Sequence, residues 1–177
     1  MRDDVSQILI TEEEIIARCK ELGAIITADY QGRQPILVAL LKGSFTFLAE
    51  LCKYIDLPIE VDFLDVSSYS GTESTGEINI RKDLDRSIKD REILLVEDIV
   101  DTGRTLTTVK NYLINKGAKD IKVATLLDKK CRRAVEIEAE YVGFDVPDYF
   151  VIGFGLDYNQ KYRNLPFIGV LKEEIYL

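Results

Sequence analysis

The stretch Ile93-Leu94-Leu95-Val96-Glu97-Asp98-Ile99-Val100-Asp101-Thr102-Gly103-Arg104-Thr105-Leu106 runs an apolar strand into three carboxylates and then into a small, hydroxyl-bearing turn. A continuous Ile/Leu/Val run bounded by polar residues suits a parallel strand buried on both faces, and such strands deliver their C-terminal ends to a shared crevice. Glu97, Asp98 and Asp101 are therefore expected at the crevice mouth. Thr102-Gly103-Arg104-Thr105 come just before a helical pattern, where free backbone N–H groups and the positive end of the helix dipole face outward. Such a turn can hold a phosphate. Clustered carboxylates would repel that anion, and a divalent metal reconciles the two, since Mg²⁺ takes a few carboxylates together with substrate phosphates and water. Carboxylates also accept hydrogen bonds from vicinal sugar hydroxyls. The group reads as a site for a phosphorylated ribose carrying Mg²⁺.

Outward from this stretch, the chain alternates strands and helices. Thr11 to Ala28 carries Ile15, Ile16, Cys19, Leu22, Ile25 and Ile26 at helical spacing, with Thr11 and Glu14 placed as a capping box. Ile36 to Leu41 is the first buried strand, and Ser44 is placed to cap a helix that turns Phe45, Leu48, Ala49 and Cys52 to one side. Ile59 to Val66 reads as a strand that turns polar as it leaves the core. The Ser/Thr/Gly-rich segment from Ser67 to Gly76, with a returning strand near Glu77 to Lys82, reads as a hairpin-like flap over about residues 67–80. Thr105 to Lys116 is a helix stopped by Gly117. Ile121 to Leu127, Tyr141 to Phe144, Phe150 to Phe154 and Phe167 to Leu171 supply further strands. The pattern predicts a single α/β domain over 1–177, a mainly parallel twisted sheet with helices on both faces.

Composition narrows the function classes. A chain of 177 residues with 46% hydrophobic and 31% charged residues is that of a soluble globular domain with a core large enough to need no staples. The net charge of −8 opposes extended contact with nucleic-acid backbones. Cys19, Cys52 and Cys131 are odd in number and widely spaced, giving neither a disulfide framework nor a zinc pattern, which fits reduced thiols in a cytoplasm. No segment reads as a signal peptide or a bilayer span. There is no histidine, so acid–base work falls to Asp, Glu, Lys or Tyr.

Two other folds place an acidic pair after an apolar strand. A receiver domain would need its phospho-acceptor strand and a lysine-bearing strand within Thr107 to Leu177. A P-loop ATPase would need a Gly-x-x-x-x-Gly-Lys-Ser/Thr segment, which the chain lacks. Gly153-Phe154-Gly155 likewise lacks the third glycine of a dinucleotide fingerprint. The run Val96 to Thr105, with Glu-Asp-Ile-Val-Asp-Thr-Gly at its centre, resembles the phosphoribosyl-pyrophosphate motif of the type I phosphoribosyltransferases, in the form used by the purine-salvage, hypoxanthine-guanine branch.

The resemblance extends from about Ile8 to Tyr176, with its parts in family order, and implies a role for further residues. Leu41-Lys42-Gly43-Ser44 follows the first buried strand. A glycine there permits close backbone approach to an anion and a lysine adds charge, although most such turns are structural. The family match implies that Lys42 and Gly43 bind pyrophosphate and that the peptide joining Leu41 to Lys42 can be cis. It gives Lys129 the six-position oxygen of the purine. A lysine, with donors only, suits an oxo group and meets an amino group donor to donor. It implies that Phe150 stacks on the base and that the Val151 carbonyl accepts from the ring edge. Asp157, beside the base, matches the carboxylate of a second magnesium, joining Glu97 and Asp98 as metal-facing acids, and Arg163 faces pyrophosphate. Ser68 and Tyr69 match a loop that closes over the reacting sugar. A small hood over the base and a homodimer or homotetramer are implied as well.

On this reading the 5′-phosphate sits on Thr102, Gly103, Arg104 and Thr105, the ribose hydroxyls lie near Glu97 and Asp98, and Asp101 accepts a proton from the purine. The expected reaction joins phosphoribosyl pyrophosphate and a 6-oxopurine, in the presence of Mg²⁺, to give IMP or GMP. Cys131, within Lys129-Lys130-Cys131-Arg132-Arg133, and Phe154-Gly155 before Leu156 depart from the usual family pattern. The order of preference among hypoxanthine, guanine and xanthine stays open. An RNA-binding regulator on the same scaffold would want a basic face, which the acidic balance disfavours.

Overall fold

The computed structural model describes residues 1–68 and 78–177. In chain order the elements are β1 (Val5–Ile10), α1 (Glu12–Asp29), β2 (Ile36–Leu41), α2 (Phe45–Leu51), β3 (Glu60–Ser68), β4 (Ile78–Lys82), β5 (Glu92–Val100) and α3 (Arg104–Asn115). They continue with β6 (Asp120–Asp128), β7 (Tyr141–Asp145), β8 (Val151–Ile152), β9 (Ile168–Leu171) and α4 (Glu173–Tyr176). The central sheet has the order β4-β3-β2-β5-β6-β7, parallel except for the antiparallel edge strand β4. Its strands are apolar on both faces because helices cover both. Ile15, Cys19, Leu22 and Ile26 of α1 and Phe47, Leu48 and Leu51 of α2 pack on Leu37, Ala39, Leu94 and Val96. Leu106, Val109 and Leu113 of α3 pack on Val38, Leu40, Ile93, Leu95 and Val123 on the other face.

The expected capping box starts α1. Thr11 Oγ1 accepts from the Glu14 N–H at 3.2 Å, while the Thr11 N–H donates to Glu14 Oε2 at 2.7 Å. The expectation for α2 is corrected by about one position. Phe47, Leu48 and Leu51 are buried, whereas Phe45 is 45% exposed. Ser44 does not cap. Its backbone is already helical, and its hydroxyl donates back to the Leu40 carbonyl at the strand end. The strand expected over Phe150 to Phe154 is cut to Val151–Ile152, because Gly153, Phe154 and Gly155 all have positive φ and curl the chain.

β1, unforeseen in the sequence, pairs antiparallel with β9, which pairs with β8, making a separate three-stranded sheet. Its own small core gathers Ile152, Tyr162, Leu165, Phe167 and Leu171. This is the hood, and it brings residues 151–171 over the C-terminal edge of the central sheet. Among the described residues, no helix is long and apolar enough to cross a membrane.

The strand order sets where a site can form. β2 connects to β3 on one side, and the chain later returns as β5 on its other side, so the order reverses between β2 and β5. Ligands of open α/β sheets bind at such a switch point, outside the carboxyl ends of the strands. Here the two strands separate. Pairing runs from Ile36↔Ile93 to Ala39↔Val96 and ends there, although β2 stays paired to β3 through Leu41↔Asp65 and β5 to β6 through Val100↔Asp128. Glu97 and Asp98 are the first residues of β5 past the split.

Candidate active site

The split is bordered by the loop after β2, by Glu97 and Asp98 of β5, and by a segment of the hood. After β2 comes a cis peptide between Leu41 and Lys42, then Gly43. A Cβ on Gly43 would overlap Asp98 Oδ2 and stand 2.6 Å from Asp98 Cγ, so with Asp98 in this rotamer it is glycine that lets the backbone lie on the carboxylate. Gly155 closes from the other side, with φ +101°. A Cβ there would overlap the Gly43 carbonyl oxygen and lie 3.2 Å from its carbon. The unusual Gly153-Phe154-Gly155 run therefore turns the hood segment back onto the loop that follows β2.

That segment carries Asp157 and Arg163. Arg163 Nη2 lies 2.8 Å from Asp157 Oδ1, and its Nη1 donates to the Gly155 carbonyl at 2.7 Å. The Gln160 N–H donates to Asp157 Oδ2 at 2.8 Å, and Gln160 Oε1 accepts from Lys42 Nζ at 3.3 Å and from Arg163 Nη2 at 3.4 Å. Lys42, Gly43, Asp98, Asp157 and Arg163 thus form one group at the split, with two cations on its border. Gln160, between those cations, carries no sequence motif that would have singled it out.

Burial tunes the two leading acids. Glu97 is buried, and desolvation, reinforced by the charge of Asp98, pushes its carboxyl well above the usual range. Desolvation raises the Asp98 carboxyl to about 6, with Asp157 adding to the rise and the Ile99 N–H and Arg163 opposing it. A carboxyl whose native value exceeds its unfolded one stabilises the fold below the unfolded value of 3.8, and that contribution is lost as pH rises through about 6. In the ligand-free protein Asp98→Asn is therefore expected to be more stable than the parent at about pH 7.5, by up to an amount on the order of 3 kcal/mol, with the gap closing toward about pH 4. Thermal melts at both pH values check this, and a parent that melts higher at about pH 7.5 would contradict it.

Two cavities meet beyond the split. A small one of about 90 Å³ is lined by Glu97, Ile99, Val100, Asp101, Thr102, Gly103, Thr105 and Leu106 at the N-terminus of α3. Gly103 precedes the first helical residue, Arg104, whose side chain is exposed and does not line this cavity. The larger, about 360 Å³, is walled by Ile99, Asp101, Lys129, Arg132, Phe150, Val151, Leu156 and Asp157 among others. Asp101 and Ile99 belong to both. Lys129 is buried, donates from Nζ to the Tyr149 carbonyl at 2.8 Å and stands 3.6 Å from Asp148.

Phe150 is 39% exposed and stacks on Tyr176 of α4, with ring centres 4.7 Å apart. The Leu171 N–H donates to the Phe150 carbonyl, which makes Val151↔Val170 a non-hydrogen-bonded pair of the antiparallel ladder. The N–H and C=O of Val151 consequently point away from β9. Arg132, Asp148, Leu156 and Tyr176 line this cavity without having been foreseen as site residues. Tyr69 and most of the expected flap lie outside the described residues, as does the side chain of Ser68.

Among the described residues, no three carboxylates or thiols converge at metal-binding distance. The expected set of Glu97, Asp98 and Asp157 is thus not a preformed cage, because Asp98 rests on Gly43 while Asp157 is held by Arg163 and Gln160. Glu97 instead borders the small cavity. Two carboxylates that feel each other's charge across an open crevice fit a magnesium that brings substrate oxygens as its remaining ligands.

The profile of the phosphoribosyl transferase domain family matches residues 4–159. The chain belongs to the phosphoribosyltransferase family. Within it, the chain is 52% identical over 177 residues to a hypoxanthine-guanine phosphoribosyltransferase of Streptococcus agalactiae, covering 99% of this chain and 98% of that one. It is 53% identical over 173 residues to the enzyme of the same name from Lactococcus lactis, covering 97% and 94%. The crystal structure of a hypoxanthine phosphoribosyltransferase from Staphylococcus aureus superposes with a TM-score of 0.97 at 50% identity, over 100% of this chain and 97% of that one. The fold is accordingly that of the type I phosphoribosyltransferases.

Proposed function

We propose that this protein transfers the 5-phosphoribosyl group of phosphoribosyl pyrophosphate to N9 of hypoxanthine or guanine, giving IMP or GMP and pyrophosphate in purine salvage. The observation that carries this reading is the meeting of the two cavities at Asp101. One is phosphate-sized and faces a helix N-terminus, and the other is purine-sized with one lysine donor and one aromatic wall. Relatives at about half identity over nearly their whole length bear the name of this activity.

In this reading the amides and hydroxyls of Thr102 to Thr105 hold the 5′-phosphate at the start of α3. Glu97 and Asp98 accept from the ribose hydroxyls, and Lys42, the Gly43 backbone and Arg163 surround the pyrophosphate. Bound Mg²⁺, faced by Asp98 and Asp157, supplies charge neutralisation of the leaving group. As the bond from C1′ to pyrophosphate breaks, positive charge grows on the ribose and negative charge on the departing oxygens. Lys42 and Arg163, on the border of the split, meet the negative charge that develops on the departing pyrophosphate. Asp101 takes the proton from purine N7 while N9 forms the new bond.

Base selection follows from donors and acceptors. Lys129 spends one N–H on the Tyr149 carbonyl and keeps others for the purine O6. The outward carbonyl of Val151 suits the N1–H of a 6-oxopurine, and the ring lies against Phe150. Lys129→Gln, which adds an acceptor, is expected to erode the preference for hypoxanthine over adenine by about tenfold or more. Steady-state kcat/KM for both bases measures it, and unaltered selectivity would count against the assignment. Self-association as a homodimer or homotetramer is part of the same proposal. The reading itself is tested by supplying phosphoribosyl pyrophosphate and Mg²⁺ with hypoxanthine, guanine, xanthine and adenine in turn and identifying the nucleotides formed. No IMP or GMP from folded protein would refute it.

A further inference from the structure

The unusual Lys129-Lys130-Cys131-Arg132-Arg133 segment places two consecutive arginines against the same aspartate. Arg133 Nη1 donates to the main-chain carbonyl of Asp101 at 2.8 Å, and its other nitrogen is paired with the buried carboxylate of Asp128 at the end of β6. Arg133 therefore ties the Asp101 backbone to the sheet. The Ala134 N–H adds to this by donating to the neighbouring Thr102 carbonyl at 2.9 Å. Arg132 addresses the side chain instead. Its Nε lies 3.3 Å from Asp101 Oδ1, while its Nη1 lies 3.4 Å from Asp148 Oδ1 on the hood side of the base cavity, so one guanidinium spans the two walls.

The state of the Asp101 carboxylate gives this contact meaning. The side chain as a whole is 41% exposed, yet Oδ1 is buried and accepts no hydrogen bond of good geometry. The accessible part of the carboxylate is thus the Oδ2 side. A buried carboxylate oxygen left without a donor is costly, and Arg132 Nε, close but misaligned, is the nearest charged donor.

We propose that Arg132 is a positioning residue for Asp101: it takes up Oδ1 and so fixes the carboxylate with Oδ2 turned to the base cavity, where the purine proton is received. Asp148 anchors the far end of the guanidinium, keeping it in the plane that Nε needs to approach Oδ1. The cation stands behind the acceptor and makes no contact with the reacting atoms. This inference rests on the assignment of Asp101 as proton acceptor.

The test is a double-mutant cycle of Arg132→Gln and Asp101→Asn, read as single-turnover rates of IMP formation together with KM values for hypoxanthine and phosphoribosyl pyrophosphate. Arg132→Gln alone is expected to slow the chemical step by about tenfold, the loss that a misplaced catalytic group brings, with both KM values little changed. In the Asp101→Asn background it is expected to add almost nothing, because the group it positions is no longer a base. Arg132 is half exposed, so its removal should leave the melting temperature nearly unchanged, which separates the rate effect from misfolding. Losses that multiply across the cycle, an unchanged rate, or a loss confined to the KM for hypoxanthine would each overturn the positioning role. If Asp101→Asn alone leaves the rate intact, the assignment of Asp101 itself fails, and that outcome is distinct from the others.

Discussion

Asp101→Asn is expected to lower kcat by ~10²–10⁴-fold, the range for loss of a general base, while the KM for phosphoribosyl pyrophosphate stays within a few-fold. The substitution is close to isosteric. Arg133 holds the main-chain carbonyl of residue 101, so the loop should keep its path between the two cavities. An amide oxygen can still accept a hydrogen bond from N7–H, but it cannot carry the proton away. Binding would survive and bond formation would suffer, which is the pattern of an interaction made only in the transition state. The chain has no histidine, and among the described residues the other carboxylates lining the base cavity are already engaged, Asp148 by Lys129 and Arg132 and Asp157 by Arg163 and the Gln160 N–H. Steady-state kinetics with hypoxanthine measure the effect, and unchanged turnover would remove Asp101 from its role.

Gly43→Ala should be comparably damaging for a different reason. The added methyl group falls inside the Asp98 carboxylate on one side, while the Gly43 carbonyl is already closed against Gly155 on the other. The loop cannot retreat without displacing the hood segment, and Asp98, with its Oδ1 accepting from the Ile99 N–H at 2.8 Å, has little room to swing. A displacement near one ångström at a site of this kind costs about 10²-fold, so kcat/KM for phosphoribosyl pyrophosphate is expected to fall by at least that amount. Gly155→Ala strikes the same contact from the opposite side and adds a positive φ that an L side chain rarely adopts, so it should also lower the melting temperature. Near-normal kinetics in Gly43→Ala would mean that Asp98 turns aside freely and that the close packing carries no function.

Much of this was legible in the residues because the signals are local. The Val/Ile/Leu run before Glu97, the box formed by Thr11 and Glu14, and the stop at Gly117 each act within a few positions of themselves, and each appears where expected. What stayed hidden depends on partners far away in the chain. β1 lacks a clear alternation because its stability comes from β9, more than 150 residues on. The buried face of α2 could not be chosen from a seven-residue helix carrying apolar residues on several sides. Arg132, Asp148 and Gln160 look like ordinary surface polar residues, and only the fold brings them to the cavity walls and to the border of the split. Phe150 illustrates the intermediate case. An aromatic at that place suggests core, yet Phe150, packed between Tyr176 and Tyr158, stays 39% exposed and lines the cavity.

The early parting of β2 and β5 has a mechanical meaning. Beyond Ala39 and Val96 the backbone groups on the facing sides of these two strands are not offered to each other, so the sheet is stitched for most of its width and unstitched at one seam. A molecule held at once by residues on both lips of that seam would tie the two halves of the sheet together. Occupancy would then be felt as stiffness in β2 and β5 themselves, well beneath the atoms that touch the guest.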